Sequence, residues 1–281
     1  MDLDLDLSRR QLLAGGGVLA LVGTGLGVSH VLRGAEFVEP DVPADELEAD
    51  GWVHVETTEA VVLDSAAGPI GVRANAVTVR YGDRALVERL KDTVLEIEAF
   101  GLTSTRRLGD VVDSQFDQSM GVFAATKIDV TPHLDELPAG LGRAEVMGQV
   151  ETQAKSTFES QLREAGLEDV SQSGTTTLDV ATGQTAEVFE YTATFPFEPT
   201  GVTLQGATID VPGTNIDVAG YLAIWHNGAN IIIAAGAHPN ESHADTVTDT
   251  VQGEEVTLSY DLGLRPEQMR EDLLGYMAAV E

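Results

Sequence analysis

Cysteine is absent from the sequence. That excludes a disulfide framework, a thiolate metal site, an iron–sulfur cluster and a cysteine nucleophile. Lysine is nearly absent too: Lys91, Lys127 and Lys155 are the only three, and the other 13 of the 16 basic residues are arginine. Against them stand 46 acidic residues, for a formal charge of −30 over 281 residues. Sequence-independent nucleic-acid affinity comes from neutralising phosphates with Lys and Arg, so no nucleic-acid partner is expected. Aromatic residues make up only 5%, yet at 43% hydrophobic the chain is too apolar for an acidic disordered segment and long enough to bury a core.

A charge of this size on one domain opposes compaction through self-repulsion. At ~1 M salt the Debye length shrinks to ~3 Å and that repulsion largely disappears. The acids are spread along the chain rather than gathered in one tail. This distribution predicts a protein adapted to concentrated salt, with an acidic surface for a basic partner or cations as the alternative.

Ser8-Arg9-Arg10-Gln11-Leu12-Leu13 leads into an uncharged run from Leu12 to Val28 that contains six glycines. Paired Arg9 and Arg10 before a mild apolar run resemble a twin-arginine export signal, whose pathway carries folded proteins. As a helix the run reaches ~26 Å against a hydrocarbon core of ~30 Å. Residues 1–35 are therefore expected to be a signal or a single membrane anchor. The location that follows is extracytoplasmic, secreted or held at the outer face of the cell membrane.

Residues 36–50, with Pro40, Pro43 and many acids, read as an acidic linker ending in a short helix near 44–49. Alternating apolar residues predict strands at 52–56, 60–63 and 72–81. Residues 84–99 read as a helix with Leu86, Leu90, Val94 and Ile97 on one face, although their β-branched positions also suit a strand. Residues 102–118 read as irregular and 121–130 as a strand. Met147, Val150, Ala154, Phe158, Leu162 and Ala165 mark a helix over 143–165 that Gly166 ends. A hairpin (175–180 with 186–197), a segment at 202–211, and a second hairpin across Asn227-Gly228 (216–226 with 230–236) follow. The pattern closes with a strand at 255–260 and a helix that starts at Pro266.

This order predicts an α+β domain over residues 51–281, an antiparallel sheet covered by helices. Leu47, Ala49 and Gly51 before strands echo Leu162, Ala165 and Gly166 before strands, which suggests two related halves, 43–135 and 140–281. The helix, two hairpins and terminal helix over residues 120–281 resemble the PsbP-like sandwich. The whole chain resembles a family of exported halophilic-archaeal proteins of unknown function. The matching features are the twin-arginine start, residues 43–52 (PADELEADGW), residues 122–126 (VFAAT) and Ala219-Gly220-Tyr221. Members of that family often carry a lipid-attachment cysteine, which this sequence lacks. The PsbP-like resemblance implies an extracytoplasmic accessory or binding module, with a protein partner outside the cytoplasm.

Candidate chemistry centres on His226, His238, His243 and Asp245, with His238 and His243 placed in a loop after the 230–236 strand. Imidazoles with a carboxylate are a zinc or copper donor set, so the enzyme alternative is a metal-dependent hydrolase, with zinc as its cofactor. Asn240-Glu241-Ser242 is an N-x-S glycosylation acceptor, and a glycosylated cell-surface structural protein is a further alternative. No G-x-S-x-G elbow and no G-x-x-x-x-G-K-[ST] loop exists in the sequence. Trp52, Trp225, Tyr221 and Phe195 are expected in the core, or else lining a ligand groove. Arg106-Arg107 is expected to pair with local acids. The leading expectation is an exported, membrane-proximal binding or accessory domain without catalysis or cofactor.

Overall fold

A computed structural model of the chain describes residues 36–67, 70–110, 120–131, 133, 143–197, 200–204, 207–211, 213–228, 230–251 and 253–281. The expected signal or anchor, with Arg9 and Arg10, lies outside the described residues. Among the described residues no helix is long and apolar enough to cross a membrane.

The centre of the molecule follows from one run of sequence. In β11 (Asn230–Pro239), Ile231, Ile233, Ala235 and Ala237 point to one face of the sheet, while Ile232, Ala234, Gly236 and His238 point to the other. Both faces are buried, which is why this strand reads as a continuous apolar run rather than an alternating one. It pairs with β10 (Thr214–Asn227) through the expected Asn227-Gly228 hairpin, with Asn227 opposite Asn230. On its other side it pairs with β5 (Val122–Thr131).

Outward from this centre lie β2 (Ile70–Asp83) and β1 (Trp52–Ala67) on one side, and β7 (Thr185–Phe197) and β6 (Glu168–Asp179) on the other. The result is a seven-stranded sheet in the order β1-β2-β5-β11-β10-β7-β6, antiparallel throughout. The two strands expected at 52–56 and 60–63 are one long β1, with irregularities between His54 and Glu56 and between Val61 and Leu63.

Helices cover both faces. On one, α3 (Arg143–Glu164) lays Ala154, Phe158 and Leu162 on the sheet. On the other, α4 (Pro266–Ala278) contributes Leu273, Tyr276 and Met277, joined by Leu47 from the short α1 (Ala44–Ala49). Residues 36–50 are thus not a free linker. Leu47 is fully buried, and Asp41 and Glu281 exchange both backbone hydrogen bonds, at 2.8 and 2.9 Å.

The expected helix at 84–99 is shorter and gives way to a strand. α2 (Arg84–Asp92) stops at Thr93, and β3 (Val94–Ala99) alternates exposed Val94, Glu96 and Glu98 with buried Leu95 and Ile97. The period of two wins over the helical stripe because Ile97 faces Leu258 across the register of a second sheet. That sheet runs β12-β13-β3-β4 and joins the core on the α3 side. Its other members are β4 (Leu102–Arg107), β12 (Ala244–Val251) and β13 (Glu254–Asp261). Part of the segment read as irregular, 102–118, is therefore a strand; residues 111–119 lie outside the described residues. The 202–211 segment is a hairpin of β8 (Thr200–Leu204) and β9 (Ala207–Val211).

The antiparallel α+β architecture is as read from the sequence. Gly51 and Gly166 share one local geometry. Both glycines take positive φ (+87° and +85°) directly after a helix, and each leads into an edge hairpin, β1–β2 or β6–β7.

Candidate functional site

The loop-and-helix junctions at one end of the sheet frame a cleft under α4. Pro266 occupies the first turn of α4, where its missing N–H is harmless, and the helix then sets Arg265, Gln268, Met269, Asp272, Leu273 and Tyr276 along one side of the cleft. The opposite wall consists of Asp50 after α1, Trp52 at the start of β1, Asp83 at the β2–α2 corner and Arg89 on α2. His238 of β11 completes the lining, and the cavity enclosed is about 120 Å3.

Each inner group is fixed by its neighbours. Asp83 caps α2, its Oδ1 accepting the Leu86 N–H at 2.8 Å. It is 7% exposed, and burial raises its carboxyl above the usual range; the Leu86 amide and the Arg89 charge oppose that rise. Tyr276 donates its hydroxyl to Asp50 Oδ2 at 2.5 Å and meets the Trp52 ring edge-on, with centroids 5.9 Å apart. Burial, then the bond to Asp50, pushes the phenol far above its ordinary value. Asp272, at the mouth, is raised by desolvation and by the like charges of Asp50 and Glu271.

His238 is 2% exposed. Its Nδ1 lies 2.7 Å from the Pro239 carbonyl oxygen. A carbonyl can only accept, so Nδ1 carries the proton. Burial, followed by the charge of Arg270, holds the ring below its ordinary pKa of 6.5, against the pull of the Pro239 carbonyl. The ring is therefore neutral and Nε2 is a bare acceptor. That atom is buried and has no hydrogen-bond partner among the described residues. Tyr221 stacks on the ring at 15°, and Arg270 donates to the Tyr221 hydroxyl at 3.1 Å while approaching Glu190 at 3.8 Å.

The metal set expected from the sequence does not assemble. His238 is not in a loop but near the end of β11, opposite Ala219. His226 pairs with Ile231 at the other end of the same hairpin, seven positions along β10, or about 24 Å away at the strand rise. His243 bonds the Tyr260 hydroxyl at 3.3 Å, and Asp245 faces Tyr260 in the small sheet. Among the described residues no group of three or more His, Asp or Glu side chains is placed to hold a metal ion. The register separates His226 from His238, so the zinc alternative has no ligand set here.

Asn240 is exposed just beyond β11, and its backbone N–H is bonded to Asp217 O at 2.7 Å. Trp225, Tyr221 and Phe195 are buried in the core; Trp52 is buried and also lines the cleft. Arg107 pairs with Asp92 at 3.5 Å and Asp110 at 3.9 Å, as local pairing predicts. The reading of the sequence missed Asp50, Asp83, Asp272 and Tyr276. The signal available was Asp83 as a helix cap before residues 84–92 and Tyr276 beside the inward stripe of the last helix.

Residues 39–281 match a family model described as a domain of unknown function (DUF6517). No curated protein and no solved structure matches the chain.

Proposed function

The chain belongs to the DUF6517 family, and on that premise we propose that it is an exported binding domain, working at the outer face of the cell membrane in concentrated salt, with the cleft under α4 as its ligand site. The observation that carries this reading is His238 Nε2, a buried acceptor without a partner at the edge of a cavity of about 120 Å3. An unpaired buried polar atom costs roughly 1–3 kcal/mol, and a ligand that donates to it recovers that cost. Perturbed acids and a histidine gathered around one cleft are a recognised mark of a functional site. Export is supported by Arg9-Arg10 and the apolar run behind them, and salt adaptation by the charge of −30. Kinship with PsbP-like proteins belongs to the same proposal, its support being the order α3, β6–β7, β10–β11, α4.

The test is a thermal-shift screen of the protein in molar KCl against small polar solutes, run beside His238→Leu. A solute that raises the midpoint of the wild type and not of the variant supports the reading. A screen without hits, together with a His238→Leu protein more stable than wild type, overturns it.

A glycosylated surface component is a second reading, favoured by the exposed Asn240 in its N-x-S context. Intact mass of the exported protein before and after Asn240→Gln decides it.

A further inference from the structure

The groups buried at the cleft share one property. His238 Nε2 has a lone pair and no proton, Asp83 is a carboxylate, and the Tyr276 hydroxyl already spends its proton on Asp50. The interior therefore offers acceptors and calls for a donor. Three aspartates, Asp50, Asp83 and Asp272, line the cleft against two arginines, Arg89 and Arg265, and the one charged group buried among the five is Asp83. A metal ion does not meet this demand, because the acids are too dispersed to ligate one centre. An organic cation does meet it. It spreads its charge over several ångströms, brings N–H donors, and suits the aromatic surfaces of Trp52 and Tyr276.

Resting on the reading of the cleft as a ligand site, we propose that it recognises a small molecule that enters with a protonated primary amine, whose N–H groups bond His238 Nε2 and whose charge is met by Asp83, Asp50 and Asp272. The cavity of about 120 Å3 limits the buried part to a few heavy atoms. The exposed arginines at the mouth leave room for a negatively charged remainder of the ligand. Potassium and sodium in the surrounding brine do not compete for Nε2, since neither supplies a hydrogen-bond donor.

The experiment uses the full chain in constant molar chloride with three probes: n-propylammonium, tetramethylammonium and glycerol. The readouts are the dissociation constant and the 15N shift of His238 Nε2. The expected result is that propylammonium binds about tenfold or more tightly than tetramethylammonium, the difference of a charge-assisted hydrogen bond, and that it alone moves the Nε2 signal. Asp272→Asn, an exposed change with no packing role, should weaken propylammonium several-fold while leaving the fold intact. Equal binding of the two cations with an unmoved Nε2 would mean an unspecific acidic surface and would overturn the proposal. A shift with glycerol and none with propylammonium would overturn the cationic class and leave the binding cleft standing. No response to any probe means that water alone fills the cavity, and both readings fall.

Discussion

Leu273 rests directly on Gly236. A Cβ at position 236 would lie 2.5 Å from the leucine Cδ1 and 2.6 Å from the Val122 carbonyl oxygen. On the opposite face Phe158 rests on Gly220 in the same way, with ring carbons 3.2 Å from where a Cβ would be. The two glycines are near-neighbours in the central hairpin, since Gly220 faces Ala237 and Gly236 faces Tyr221. Each helix thus comes down on the sheet where one side chain is missing. For α4 this close approach sets Met269 and Leu273 in the lining of the cleft that His238, two residues beyond Gly236, also lines.

Gly236→Ala should destabilise the protein by about 1–3 kcal/mol, the range for overpacking a closed site, because the backbone oxygen of Val122 cannot move aside as a side-chain end can. Chemical denaturation in molar salt measures it. A change within ±0.5 kcal/mol would show that α4 rides higher on the sheet than described.

Tyr276→Phe keeps the ring contacts with Trp52 and Phe123 and removes only the bond to Asp50. Asp50 faces solvent and can turn to water, so the expected loss is about 1.5 kcal/mol, the lower end of the range for hydrogen bonds to charged groups. In the wild type, spectroscopic titration should find Tyr191, pushed up to about 12 by burial, and Tyr276, held higher still, protonated well above pH 10, and the variant should show one such tyrosine fewer.

The stability of the fold should depend on pH in two opposed ways. His238 has its pKa lowered in the folded state. The unfolded chain then takes up the proton first, so its contribution is present above pH 6.5 and is lost as pH falls below that value. Asp83 is raised, so protonating it favours the folded state, and its contribution is fully present below its ordinary 3.8 and is lost as pH rises through its folded value. Between pH 6.5 and 5 the wild type should lose stability more steeply than His238→Leu; parallel curves would remove His238 from the account. Asp83→Asn, which keeps an oxygen to cap α2, should cost less near pH 7 than near pH 3.

Raising KCl from 0.1 M to 2 M should raise the thermal midpoint, because screening over ~3 Å removes the repulsion within a chain of charge −30. A midpoint independent of salt would show that the acids are already compensated within the fold, and the salt-adapted reading would fail.

Replacing Arg9 and Arg10 together by lysine should leave the protein in the cytoplasm of a cell that otherwise exports it. Normal export of the double variant, followed by fractionation and immunoblotting, would remove the twin-arginine assignment.

The parts of the fold that could be read in advance are those whose residues carry a local signature. The β10–β11 hairpin announced itself through an apolar run on each side of Asn227-Gly228, α3 through its stripe from Met147 to Leu162, and α4 through Pro266. Of the small sheet only β13 did, as the strand expected at 255–260; β4 and β12 are built from Thr, Ser, Asp and Arg with few apolar positions. Their pairing depends on partners such as Ile97 and Leu258, 161 residues apart by their numbers. Ending the strand at Gly236 puts His238 in the loop that follows. The strand nonetheless runs on through Pro239, its last residue, beyond the point where β5 pairs with it. The cleft was the least legible part. Tyr276 and Asp50 meet across 226 positions, and among 46 acids no single aspartate stands out until the fold selects it.

The mutual bonding of Asp41 and Glu281 closes residues 41–281 into a ring in all but one covalent link. Joining these residues by a short glycine bridge and opening the chain instead at the Gly183 turn, where an added Cβ would meet nothing within 4 Å, should yield a permuted protein with the same architecture. In that permutant the first and last residues would emerge at the β6–β7 corner, beside the end of α4, where the Ala181 N–H donates to the Ala278 carbonyl at 2.7 Å.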